Sequence, residues 1–191
     1  FKLSLGGGAL AMFAPVIACE RQPEAVENSI SFDVENSPFD AMSIADIHRE
    51  MQQNRINAET LTYHYLDRIK QIDQAGPTIN SVICVNPKAL DEARNLDQAK
   101  FPVGPLHGIP VLIKDNINTR KADGMPTTAG SLALMDLWPE EDAPIVKKLR
   151  EAGAVILGKS NLSEWANFRS TNSSSGWSAV GGLTKNPHVL D

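Results

Sequence analysis

Apolar residues recur at helical spacing through the first half of the chain and then gather into short runs, and that change of period sketches the fold. Ser43 stands where it can cap a helix running to about Gln53. Asn57 can cap a second helix, in which Leu61, Tyr65, Ile69 and Ile72 fall on one face. Such a stripe belongs in a core. Gly76-Pro77 reads as a turn, residues 79–85 as a strand, and Pro87, at the first helical position behind Asn86, as the opening of a helix through about Asp97. A Pro/Gly loop over 101–110 feeds an apolar strand at 111–113, and 119–138 is long and irregular, as loops around functional sites often are. Asp142 is placed to cap a helix ending near Ala152, Gly153 allows a turn at its end, and 154–157 is a further apolar strand. Apolar strands separated by helices predict an α/β layered structure with a buried sheet.

Composition narrows the possibilities. With 191 residues, 42% hydrophobic and 21% charged, the chain can build one globular core. The formal charge is -5, and basic residues cluster no further than the pairs Arg120-Lys121 and Lys147-Lys148, which speaks against a nucleic-acid-binding face. The first nineteen residues differ from the rest: Lys2, an apolar stretch from Leu3 to Ala18 broken by Gly6-Gly7-Gly8 and Pro15, then Cys19. This pattern predicts an export signal, shorter than the roughly 20 residues that span a bilayer. Val16-Ile17-Ala18-Cys19 resembles a bacterial lipobox, which implies cleavage before Cys19 and lipid attached to its sulfur. An ordinary signal peptide with an incidental cysteine and a buried apolar N-terminus are the alternatives. The expected organisation is a signal over 1–19, a polar tether over 20–42 and a domain over 43–191, the protein being exported to the bacterial periplasm or held at the membrane as a lipoprotein. Cys84, between Ile83 and Val85, is expected as a buried, inert thiol. Neither the two cysteines nor His48, His64, His107 and His188 show metal-ligand spacing, so no metal or cofactor is expected.

The chemistry centres on a lysine. Lys114 ends the apolar run 111–113 immediately before a polar loop. A lysine there either snorkels to water or sits desolvated, and lowering its pKa from ~10.4 to ~7 costs about 4 to 5 kcal/mol. The pattern alone leaves both readings open. A decoy lies downstream: Gly153-Ala-Val-Ile-Leu-Gly158-Lys159-Ser160 fits the phosphate-loop pattern G-x-x-x-x-G-K-S/T letter for letter. A phosphate loop follows a strand, whereas here a helix precedes it and the intervening residues are strand-like, so Lys159 reads as structural or surface. There is no G-x-S-x-G nucleophile elbow.

Ordered motifs then accumulate: Gly108-Ile109-Pro110-Val111-Leu112-Ile113-Lys114-Asp115-Asn116, Gly124-Met125-Pro126-Thr127-Thr128-Ala129-Gly130-Ser131, Gly158-Lys159-Ser160-Asn161-Leu162-Ser163-Glu164-Trp165, and Gly176-Trp177-Ser178-Ala179-Val180-Gly181-Gly182-Leu183-Thr184-Lys185-Asn186-Pro187. From about Ser43 to Asp191 the chain resembles the amidase signature family. The resemblance implies a partial amidase signature fold, with a mixed β-sheet sandwiched between helices. It implies hydrolysis of carboxylic amides through an acyl-serine, with Lys114 as the proton-relay base of a Ser, cis-Ser, Lys triad. Trp165, Ala166 and Asn167 match a segment that approaches the substrate pocket in the family, and the implied partner is a small-molecule or peptide amide. The Gly/Ser-rich signature that supplies the cis-serine in the family, with the nucleophilic serine further on, has no counterpart before Asp191, so neither serine can be assigned and the 191 residues alone are expected to be inactive. Ser173, Ser174 and Ser175 precede the Thr184-Lys185-Asn186-Pro187 element and are not read as catalytic. Asp115, pointing away from Lys114, is expected to order the loop, and His107 to pack or help shape the site. The wording around Trp177 is similar to peptide amidases. The rival readings are the A subunit of the tRNA-dependent amidotransferase, against which the leader argues, and a non-catalytic member of the family.

Overall fold

A computed structural model describes residues 37–189, so the expected signal, with Cys19, lies outside the described residues. The first helix, α1 (Ile44–Gln52), starts with a reciprocal cap: Ser43 Oγ accepts the Asp46 N–H at 3.2 Å and Asp46 Oδ2 accepts the Ser43 N–H at 3.0 Å. In α2 (Ala58–Arg68) Asn57 accepts the Thr60 N–H at 2.7 Å, while the Asp97 carboxylate takes those of Ala58 and Glu59 at 2.8 and 2.9 Å. Both expected caps are present.

The apolar stripe does not continue as one α-helix. At Ile69–Gln74 the chain widens into a π-helical turn, leaving Ile72 only half-buried and carrying Asp73 inward. The Asp73 carboxylate accepts the N–H groups of Ser81 and Val82, at 2.7 and 3.0 Å, and the Ser81 hydroxyl. Strand β1 (Val82–Val85) is therefore shorter than the expected 79–85, because Thr78 and Asn80 have φ of 55° and 58° and the chain is not extended there.

Two other helix starts also differ. Asn86 accepts the Lys88 N–H at 2.9 Å and donates to Ile156 O at 2.6 Å, so α3 (Ala89–Asp97) begins beyond Pro87. Strand β2 covers Pro110–Lys114, and α4 (Pro144–Glu151) lacks a side-chain cap. Asp142 instead accepts the Arg120 N–H at 2.8 Å and Arg150 Nε at 2.9 Å. After α4, Gly153 turns with φ +87° against the His107 backbone, and β3 runs over Val155–Ser160.

The sheet has the order β1-β3-β2, with β3 antiparallel to β1 and parallel to β2. A core of Ala58, Ile69, Ala89, Ala93, Val155 and Leu157 packs α2 and α3 on the sheet; Cys84, Ile113, Met125, Val146 and Ile156 build a second core with α4. This is the mixed sheet between helices that was expected. Cys84 is buried, but it is disulfide-bonded rather than a thiol. A two-residue pair, β4 (Trp177–Ser178) and β5 (Gly182–Leu183), closes the described fold.

Candidate active site

Because β2 and β3 run parallel, their C-terminal ends lie side by side, with Lys114 in register with Ser160. The next N–H holds them together, from Asp115 to Ser160 O at 3.1 Å. Side-chain alternation then separates neighbours, leaving Lys114 exposed and Asp115 buried.

Asp115 orders the loop, as expected. Its Oδ2 accepts the N–H groups of Thr128 and Gly130 at 3.2 and 3.3 Å and the Thr128 hydroxyl, and its carbonyl accepts the Ala129 N–H at 3.0 Å. From this loop the bonds run outward: Ala129 O accepts the Trp165 N–H, and Gly130 O that of Val180, both at 3.1 Å. Gly130, at φ +75°, sits so close to Ser178 that a Cβ would lie 2.5 Å from the serine Cβ. Asn161 ties the other side down, donating to Asn80 O at 3.0 Å and Gly182 O at 3.1 Å and accepting from Ser178 Oγ at 2.7 Å.

The desolvated lysine is Lys159. It is the largest fully buried side chain among the described residues, and its Nζ donates to Ile117 O at 2.7 Å and Thr127 Oγ1 at 3.0 Å, with Asp115 Oδ1 at 3.9 Å. The surface alternative for Lys159 is thereby excluded. Burial lowers its pKa to about 8, against the opposing pull of Asp115, Asp142 and Asp123. Burial likewise raises Asp115, opposed by the Thr128 hydroxyl and Lys159. Each charge is disfavoured singly and sustained by its partner. The sequence signal was present but misassigned: ending the strand at 157 leaves Lys159 in a turn, whereas β3 carries it to the interior. The phosphate-loop decoy fails on the same geometry, since Gly158 lies where a Cβ would strike the Cys84 carbonyl and the Lys159 ammonium is enclosed by protein.

Trp165, Ala166 and Asn167 form a consecutive left-handed run, φ 51°, 52° and 65°. Three such non-glycine residues store strain, about 1 to 3 kcal/mol each. Trp165 stacks edge-on against Phe168, with centroids 5.9 Å apart, and the Trp165 N–H to Ala129 O bond ties the run to the Asp115 loop. Trp165 Nε1 and Asn167 Oδ1 are buried without a hydrogen-bond partner among the described residues. His107 sits at the other end of β2 from Lys114, its Nδ1 accepting the Val103 N–H at 3.2 Å and its carbonyl meeting His48 Nε2 at 3.1 Å; packing is its role. Ser173, Ser174 and Ser175 are exposed.

A strand-end lysine, a carboxylate-braced loop and a strained aromatic segment thus share one rim. Comparison with known proteins places this arrangement: residues 60–191 match the family model described as Amidase, and the chain belongs to the amidase family. It is similar to the peptide amidase of Stenotrophomonas maltophilia, with 49% identity and a TM-score of 0.76 over 80% of this chain and 31% of that one. An Arabidopsis thaliana protein described as a probable amidase is 44% identical over 155 residues, 78% of this chain and 29% of the relative. The glutamyl-tRNA(Gln) amidotransferase A subunit of Lawsonia intracellularis is 42% identical over 135 residues, 70% of this chain and 27% of the relative. The chain thus spans less than a third of the length of the relatives it matches.

Proposed function

We propose that the complete protein containing this chain hydrolyses carboxylic amides, peptide amides among them, through an acyl-serine, with Lys114 as the relay base. The observation that carries this reading is the placement of Lys114: it ends β2, exposed on the rim formed by the Asp115 loop and the Trp165–Asn167 run. The likeness to the S. maltophilia peptide amidase supports the substrate class. In this mechanism Lys114, exposed in these 191 residues, is covered and desolvated by the rest of the complete protein, and in its neutral form it takes the bridging serine's proton while that serine takes the nucleophile's, so that the freed hydroxyl oxygen attacks the amide carbon. The family's cis-serine lies in a Gly/Ser-rich signature that has no counterpart before Asp191, and its nucleophile lies further on, so the 191 residues assayed alone are expected to release no ammonia or amine. Trp165, Ala166 and Asn167 contact the substrate.

Two substitutions in the complete protein test the reading. Lys114→Ala lowers kcat on a peptide C-terminal amide by at least about 100-fold, the loss of a general base. Lys114→Arg is no better, because arginine keeps its proton. Substantial turnover by either variant overturns the assigned role.

The likeness to the amidotransferase relative supports a second reading, in which the protein works only with partner subunits. Ammonia release by the purified protein alone decides for the amidase. Export is a further proposal, supported by the apolar leader from Leu3 to Ala18. N-terminal sequencing of the mature protein checks it: removal of the leader upholds it and a retained leader overturns it, while lipid on the Cys19 sulfur is not carried forward, because Cys84 is disulfide-bonded and Cys19 is the other cysteine of the sequence.

A further inference from the structure

The relay chemistry does not use Lys159, yet no described side chain is more completely enclosed. We propose that Lys159 is a positioning residue for the amide chemistry, its buried ammonium keeping the Asp115 carboxylate ionised so that the loop beside Lys114 stays closed on the strand ends. This inference rests on the proposed amidase function.

The connections run in one direction through the rim. Lys159 Nζ ties Ile117 O, just past the β2 end, to Thr127 Oγ1, at the start of the returning segment, so a single ammonium clamps both arms of the loop. Its charge faces Asp115 Oδ1 at 3.9 Å, leaving Oδ2 to bind Thr128 and Gly130. An ionised carboxylate can accept all of these donors, whereas a protonated one has less acceptor capacity. The neighbouring carbonyls of Ala129 and Gly130 hold Trp165 and Val180. Loss of the ammonium therefore disturbs the loop that follows Lys114 and the segment that holds Trp165 and Val180, although Lys159 touches neither Lys114 nor the Trp165 run by any hydrogen bond among the described residues. The charged groups acting on Lys159 are Asp115, beyond β2, Asp123, in the loop, and Asp142, ahead of α4.

The test uses the complete protein, with Lys159→Met, Asp115→Asn, the double variant and the milder Thr127→Val, each assayed for kcat, KM and folded fraction across pH 6 to 10. Wild type and Lys114→Ala accompany them: an inactive wild type, or an active Lys114→Ala, refutes the amidase reading itself. With those two behaving as proposed, Lys159→Met and Asp115→Asn each lower kcat per folded molecule about 100-fold with KM changed less than about threefold, and the double variant is no worse than either single one. Thr127→Val removes one acceptor of the ammonium and moves the alkaline limb of kcat to lower pH, a displacement that a purely structural role does not produce. Wild-type kcat per folded molecule in Lys159→Met overturns the proposal. If that variant does not fold, an alkaline limb unmoved in Thr127→Val overturns it.

Discussion

Two lysines end neighbouring parallel strands and meet opposite fates. Lys114 faces out, while Lys159 is enclosed, and no propensity scale separates them; the difference lies in which side of a pleated strand each occupies and in what covers it. Lys159 has a stability consequence whose sign follows from its lowered pKa. The unfolded chain holds this proton up to about 10.5 and the folded chain only to about 8, so between those values the unfolded state binds more protons. Stability from this group therefore rises as pH increases from about 8 toward 10.5. Urea midpoints of the complete protein and of Lys159→Met across that window show the difference, the variant lacking the rise. At Ala166, held at φ 52°, glycine relieves the left-handed strain, and Ala166→Gly stabilises by about 0.5 to 1 kcal/mol, read from the same unfolding curves.

Helices came through from the sequence best where their caps are local. Ser43 and Asn57 act within their own first turns, so spacing alone revealed them. Asp142 was misread because its short carboxylate found better partners in distant elements, Arg120 and Arg150, whereas the Asn86 oxygen does act locally, on the Lys88 N–H, but in a turn ahead of α3. The π-helical turn escaped for a related reason. Nothing in the residues 69–74 announces it, and it persists because Asp73 there satisfies two N–H groups at the head of β1. Asp73→Ala strands those donors in a buried setting and costs about 2 to 4 kcal/mol, measurable as a lowered denaturation midpoint with the largest loss of amide protection at Ser81 and Val82.

Across the molecule, one arginine links otherwise separate parts. Arg150, on α4, reaches Glu92 of α3 at 2.9 Å, Asp142 at 2.9 Å and the fully buried Asp123 of the long loop. Arg150→Met leaves Asp123 with Arg120 as its one ion-pair partner among the described residues and destabilises the fold by about 3 to 5 kcal/mol, the cost of uncovering a buried charge, which thermal unfolding of the complete protein reports. The alternation of helical and strand periods determined the layered α/β class, the helix faces and the lysine at a strand end, because burial imposes its period on any chain that folds this way. Ordered motifs added the family. Tertiary structure alone decided that β3 reaches Ser160, that Lys159 rather than Lys114 is the enclosed amine, and that Asp115 braces the rim. Each depends on residues far apart in the chain meeting across parallel strand ends, where desolvation and hydrogen-bond partners are properties of the assembled fold.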